Sequence, residues 1–152
     1  MRCCILVLLS AFFFGCKEDD LIDLKIQDDL SISTINGTWK VIAYKELDIK
    51  KVITKDSSNS WGFDVIITFD DTVNPLKITG RNTTNSIFGE FEYINDRSVR
   101  ILTLGSTYVG QPEWGDKFID LVSESDLIFE VNESQLRIVN NQKQRSALFE
   151  RE

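Results

Sequence analysis

The stretch Ser86-Ile87-Phe88-Gly89-Glu90-Phe91-Glu92-Tyr93 puts Ile87, Gly89, Phe91 and Tyr93 on one face of an extended chain and Glu90 and Glu92 on the other. A period of two with one apolar and one charged side is the mark of a strand that is dry on one face and wet on the other. The pattern returns in Leu127-Ile128-Phe129-Glu130-Val131, where Leu127, Phe129 and Val131 oppose Glu130. Working outward on β-branched and aromatic content, the expected strands are Thr38–Leu47, Asp64–Phe69, Leu76–Arg81, Ser86–Tyr93, Ser98–Leu104, Leu127–Val131, Gln135–Val139 and Ser146–Arg151. Turns fall at Asp70-Asp71, Asn74-Pro75, Asn95-Asp96, Asn132-Glu133 and Asn140-Asn141, residues that tolerate or preset tight backbone geometry.

One segment departs from this period. Trp114, Phe118, Leu121 and Val122 recur at helical spacing within Pro112–Ser123, with Pro112 expected in the first turn and Glu113 and Asp116 near the positive end of the dipole. Gly115 reads as a weak point in this helix, costing about 1 kcal/mol against alanine. Strands of ordinary length and a single amphipathic helix point to a mainly β fold, a small antiparallel barrel of about eight strands capped by that helix. Its interior must take Ile87/Phe91/Tyr93, Leu127/Phe129/Val131 and Leu136/Ile138, with the apolar helix face closing one end. A barrel of that size filled by so many large groups has no room for a sizeable void. Trp39 reads as core, packed beneath an arginine such as Arg145 or Arg151.

The N-terminus carries a different message. Arg2 precedes an apolar run from Ile5 to Gly15, too short to span a membrane, and the pattern is that of a signal peptide over residues 1–15. Phe13-Phe14-Gly15-Cys16 resembles the lipobox of bacterial lipoproteins, in which the cysteine carries a lipid. Lys17-Glu18-Asp19-Asp20 resembles the acidic signal that directs lipoproteins of one large Gram-negative phylum to the outer face of the outer membrane. Residues 16–34 then read as the lipidated cysteine and a tether, about 23 Å in reach as a flexible coil; a strand or helix docking on the body is the other reading. Loss of residues 1–15 takes Arg2 with it and makes a net charge of −7 one unit more negative, which disfavours nucleic acid and anionic lipid as partners. It also removes Cys3 and Cys4, leaving Cys16 to the lipid and no cysteine for a disulfide.

The body, residues 35–152, carries two further resemblances. Ile35-Asn36-Gly37-Thr38-Trp39-Lys40-Val41 is similar to the opening Gly-x-Trp strand of lipocalins and lipocalin-like barrels. Gly80-Arg81-Asn82, Phe88-Gly89-Glu90-Phe91, Thr107, Pro112-Glu113, Phe118, Leu121 and Phe149-Glu150-Arg151 together resemble the META domain (HslJ-like) family. That resemblance implies a lipocalin-like barrel with one helix in a membrane-anchored or periplasmic protein, linked to stress or drug tolerance and without catalytic activity. It also implies that Arg81 and Gln111, which stand where many members have cysteines, are neighbours. Gly80 and Gly89 suit bends where a backbone approaches closely or φ is positive.

Composition narrows the chemistry. The chain has no histidine, and with no free thiol outside residues 1–16 it lacks the usual metal ligands, general base and cysteine nucleophile. Glu90 and Glu92 could be a glycosidase carboxylate pair but are better explained as a solvated strand face, and Asp70-Asp71 as a hairpin turn rather than a cation site. Trp61 stands out because Ser57-Ser58-Asn59-Ser60-Trp61-Gly62 reads as a flexible loop, where an aromatic has no periodic reason to exist; it either contacts a protein or glycan partner or folds onto the barrel. Asp71-Thr72-Val73 resembles the O-glycosylation sequon of the same phylum. The expectation is a lipid-anchored, surface-facing, non-enzymatic binding or envelope-stress module with no cofactor and no metal; the alternative is a lipocalin-like carrier of a small apolar ligand.

Overall fold

A computed structural model describes residues 34–123 and 126–152. The expected signal peptide, Cys16, and the acidic stretch Lys17, Glu18, Asp19 and Asp20 lie outside the described residues. The strands are β1 (Gly37–Glu46), β2 (Lys51–Thr54), β3 (Val65–Asp70), β4 (Leu76–Asn82), β5 (Asn85–Asn95), β6 (Ser98–Ser106), β7 (Asp126–Val131), β8 (Gln135–Asn140) and β9 (Arg145–Arg151), with helices α1 (Ser57–Ser60) and α2 (Glu113–Val122). All neighbouring pairs are antiparallel, and β1 pairing with β9 closes the sheet. β1 reaches β3 through Gly37–Lys40 and β2 through Ala43–Glu46, so β2 is an extra strand beside a closed ring of eight.

The mainly β barrel capped by a helix is therefore as expected, with corrections in detail. β2 is not among the expected strands. Ser57–Ser60 is a helical turn, not a flexible loop. Pro112 is the N-cap of α2, with extended backbone, rather than a residue of its first turn. Thr34, assigned to the tether, belongs to the body: its hydroxyl contacts Asp71 and the Tyr93 phenol, and it accepts from Asn36 N–H at 3.1 Å.

Burial follows the alternation. Ile87, Phe91, Leu127, Phe129, Val131, Leu136 and Ile138 are all inside, joined by Trp39, Phe69 and Phe149 in one apolar cluster. Phe91 meets Phe69 edge-on at 5.4 Å between ring centroids and Tyr93 at 5.7 Å. A ten-residue helix is marginal alone. α2 forms because Trp114, Phe118, Leu121 and Val122 bury completely, each adding about 1.5–3 kcal/mol.

Both ends of the barrel are shut. α2 covers the end where β1, β4 and β6 finish, packing on β3, β4, β8 and β9. It is fastened there by Lys117 to Glu46 (3.6 Å), by Asp120 to Arg145, and by Asp120 to Lys143 (3.0 Å). At the opposite end Ile35 is fully buried, its carbonyl accepting from Trp39 Nε1–H at 2.8 Å. Arg151 lies over the Trp39 ring, 4.1 Å from its centroid. A depression of about 10 Å³ in the outer wall, where a bulge between Val41 and Ala43 meets β9, has room for at most one water.

Gly80 has φ +152°, and a Cβ there would strike the Ile66 carbonyl. β3 and β4 can cross this closely only at glycine.

Candidate functional site

The α2 end of the barrel presents a rim of exposed apolar side chains built on two anchored loops. The first is the turn from β2 into β3. Asp56 caps α1: its carboxylate accepts from Ser58 N–H (2.7 Å) and Asn59 N–H (2.9 Å), while Asn59 Oδ1 accepts from Asp56 N–H (2.9 Å), a reciprocal capping box. The Ser58 hydroxyl, then the Asn59 amide, hold the Asp56 carboxyl below its ordinary range. Asn59 Nδ2 also donates to Thr54 O at 2.9 Å, tying α1 to β2. Trp61 then takes the C-cap in the left-handed region, φ 53°, its N–H donating to Ser57 O at 3.1 Å. The indole is left 56% exposed, with Phe63 beside it at 43%. Of the two readings open for Trp61, folding onto the barrel is not the one adopted.

The second loop, Thr107–Gln111, is held by one side chain. Asn85 Oδ1 accepts from Val109 N–H (2.8 Å) and the Thr107 hydroxyl (3.1 Å), and Asn85 Nδ2 donates to Val109 O and to Gln111 Oε1, both 2.9 Å. Thr84 adds a bond to Gly110 O at 3.0 Å. With its backbone pinned, the loop leaves Tyr108 fully exposed and Val109 largely so. Thr83 N–H donates to Asp64 O at 3.2 Å, joining the β4–β5 turn to the residue after Phe63. Trp61, Phe63, Tyr108 and Val109 thus lie on anchored loops at one end of the barrel, with Ser57, Ser58, Thr84 and Thr107 near them in sequence, together with the Asp56 carboxylate and the Lys55–Asp64 ion pair.

Beneath the second loop lies a buried amide cluster that no local sequence pattern announced. Gln111 Oε1 accepts from Asn82 Nδ2 at 3.0 Å as well as from Asn85, and its Nε2 donates to Asp116 at 2.6 Å. The residue after Arg81 is therefore bonded to Gln111. Arg81 itself is exposed, opposite Ile66 of β3. Among the described residues, Asn82 Oδ1 and Trp114 Nε1 are buried without a hydrogen-bond partner.

The carboxylates have structural work. Glu90 pairs with Lys77 at 2.7 Å and Glu92 with Arg100 at 3.3 Å on the outer wall, with a bulge between them. Asp70 accepts from the Thr72 hydroxyl at 2.6 Å and from Thr72 N–H at 3.0 Å, the geometry of a turn, which also holds its carboxyl below the ordinary range. Thr72 is exposed on that turn. Asp71 accepts from the Tyr93 phenol at 3.1 Å. Among the described residues, no three His, Cys, Asp or Glu side chains come together to hold a metal, and no helix is long and apolar enough to cross a membrane.

No family model and no curated protein matches the chain. Its fold is shared by two solved structures. A protein from Burkholderia xenovorans, solved by NMR, is 15% identical with a TM-score of 0.60, over 77% of this chain and 82% of that one. A DUF4847 family protein from Bacteroides vulgatus is 18% identical with a TM-score of 0.50, over 76% of this chain and 92% of that one. At such identities the likeness is one of fold.

Proposed function

We propose that this chain is a lipid-anchored, non-catalytic binding module of the bacterial envelope, related to the META domain family, that meets a protein or glycan partner through the rim around Trp61. The anchor would be Cys16, and Lys17–Asp20 the signal that carries it to the outer surface of the outer membrane. The observation that carries the reading is the rim itself: four exposed apolar side chains held by a capping box and by the Asn85 bonds, on a barrel shut at both ends. Rigid aromatics cost little conformational entropy when a partner covers them, which makes Trp and Tyr common binding anchors. Hydroxyl neighbours such as Ser57, Ser58, Thr84 and Thr107 suit a glycan or a polar protein surface. The filled interior supports this reading over that of an apolar-ligand carrier.

The test separates anchor from rim. Mass spectrometry of the membrane fraction is expected to find Cys16 acylated and residues 1–15 gone, with Cys16→Ser lost from that fraction. Surface cross-linking in intact cells is expected to give a partner adduct that Trp61→Ala/Tyr108→Ala abolishes, while thermal stability changes little. Saturable binding of a fatty acid or apolar dye at low micromolar concentration, insensitive to these two substitutions, would instead establish the carrier.

A further inference from the structure

The sheet has two open edges among the described residues, and the chain treats them differently. β2 pairs only with β1; it contains Lys51 and is followed by Lys55, charges of the kind that discourage strand addition. β6 pairs with β5 from Ser98 to Ser106 but with β7 only through Ser98–Arg100, which leaves Ile101–Ser106 open on one side. This stretch has no charge and no proline. Thr107 N–H donates to Ser86 O at 3.0 Å, so Ile87 with Ser106, and Gly89 with Leu104, are pairs without mutual hydrogen bonds. Leu104 and Ser106 therefore turn their N–H and C=O groups to the open side.

That side is a groove. The chain leaves β6 at Ser106, turns through Thr107–Gln111, runs back along α2 and rejoins β6 where Asp126 of β7 faces Arg100. The open half of β6 and α2 are thus the two long sides of one loop, and α2 packs on β3, β4, β8 and β9 rather than on β6. Ile101 and Leu104 on one side and Ile119 on the other are only partly buried. At the Ser106 end stands Asp116 of α2, exposed, accepting from Gln111 Nε2–H at 2.6 Å and in no ion pair among the described residues. At the far end the Asp126 carboxylate is held by Arg100 at 2.7 Å.

We propose that this groove takes an extended peptide segment of a partner protein as an added antiparallel strand on β6, with apolar residues at alternate positions and a cation at the end that meets Asp116. The outward N–H and C=O groups of Leu104 and Ser106 call for an extended backbone opposite them. Cross-strand partners share a face, and Leu104 and Ser106 lie on the same face as Ile87, which is buried. The peptide residues opposite these two therefore point inward over Ile101, Leu104 and Ile119 and must be apolar, while those between them face water. Antiparallel pairing places the start of the peptide at Ser106, beside the Asp116 carboxylate, and a chain of net charge −7 favours a basic segment over an acidic one. A single extended strand fits between β6 and a helix, whereas a second copy would have to bring its own α2 to the same edge. The groove is separate from the rim around Trp61 and does not depend on it.

Amide hydrogen exchange on the full chain in detergent micelles, with and without about 1 mM of the peptide amide Lys-Val-Thr-Val-Thr-Val, tests this. With the peptide the Leu104 and Ser106 amides are expected to exchange about tenfold more slowly, while those of Ile67 and Phe149 stay as they were, the control for folding. N-methylation of the peptide's valines, whose N–H groups face β6, should abolish the effect, and N-methylation of its threonines should leave it. Asp116→Asn, which still accepts from Gln111, should weaken binding severalfold. Unchanged exchange at Leu104 and Ser106, or equal loss on methylating valines and threonines, overturns the proposal. So does slow exchange without peptide: if that protection grows with protein concentration the occupant is a second copy, and if it does not the edge is already filled within the chain.

Discussion

Gly115→Ala is the substitution on which helix propensity and packing disagree. Glycine inside a helix costs about 1 kcal/mol against alanine, so propensity alone says that the change stabilises. A Cβ at 115 would, however, stand 2.6 Å from Thr83 Oγ1, 3.1 Å from Asn82 Oδ1 and 3.2 Å from Gln111 Oε1. The latter two can give by a few tenths of an ångström. Thr83 cannot, because it is buried at φ 57° and its hydroxyl donates to Asn82 O at 2.6 Å. Forcing an extra carbon into such a place costs about 1–3 kcal/mol. The net expectation is a loss of up to about 2 kcal/mol, read in urea unfolding by Trp fluorescence as a midpoint lowered by as much as roughly 1 M for slopes typical of small domains. Thr83→Gly supplies the control. It removes the obstructing hydroxyl and the left-handed strain, worth about 1–2 kcal/mol, while losing a hydrogen bond worth about 1 kcal/mol, so alone it is close to neutral. In that background Gly115→Ala is expected to be neutral or stabilising, a coupling of about 1–3 kcal/mol. A rise in stability on Gly115→Ala alone, or an equal loss in both backgrounds, would refute the reasoning.

Three more outcomes follow from the same geometry. Burial pushes the Tyr44 phenol well above its ordinary value of 10.0; a folded pKa above the unfolded one means that stability is whole below pH 10 and falls as pH rises beyond it. Tyr44→Phe should therefore flatten the alkaline fall in thermal midpoint, while costing about 1 kcal/mol at neutral pH for the bond to Trp114 O, 3.0 Å in the structure. Arg151→Ala should lower stability by roughly 1–2 kcal/mol by uncovering Trp39, and Arg151→Lys should restore only part, since a lysine cannot lie flat on the ring while donating to Glu133 O. Asp56→Ala should speed amide exchange at Ser58 and Asn59 and increase Trp61 mobility by fluorescence anisotropy; in the unaltered chain the same loosening should appear as pH falls below the ordinary carboxyl value of 3.8 toward the lowered one.

What could be read in advance was whatever depends on near neighbours in the chain. The alternation around Phe91 and Phe129, the helical spacing of Trp114 and Phe118, and the glycine at 80 each state a local requirement, and the barrel satisfies all three. The cover of Trp39 by Arg151 was also within reach, because a first and a last strand must meet if a barrel closes. β2 was not: it is four residues long, has a lysine at its first position and another just beyond its end, and leans on β1, so Val52-Ile53 had too little length to show a period. The capping box was missed because Asp56 and Asn59 stand in for the more familiar Ser or Thr followed by Glu. Gly115 was read from its own helix alone, whereas the space beside it is set by Thr83, thirty-two positions earlier in sequence. The rim shows the same division. Trp61 announced itself as an aromatic among serines, whereas Tyr108 and Val109 gain their meaning only from Asn85, which fixes their loop from the start of the neighbouring strand. A surface that gathers on one end of a barrel is assembled by register, and register joins residues that no local window contains.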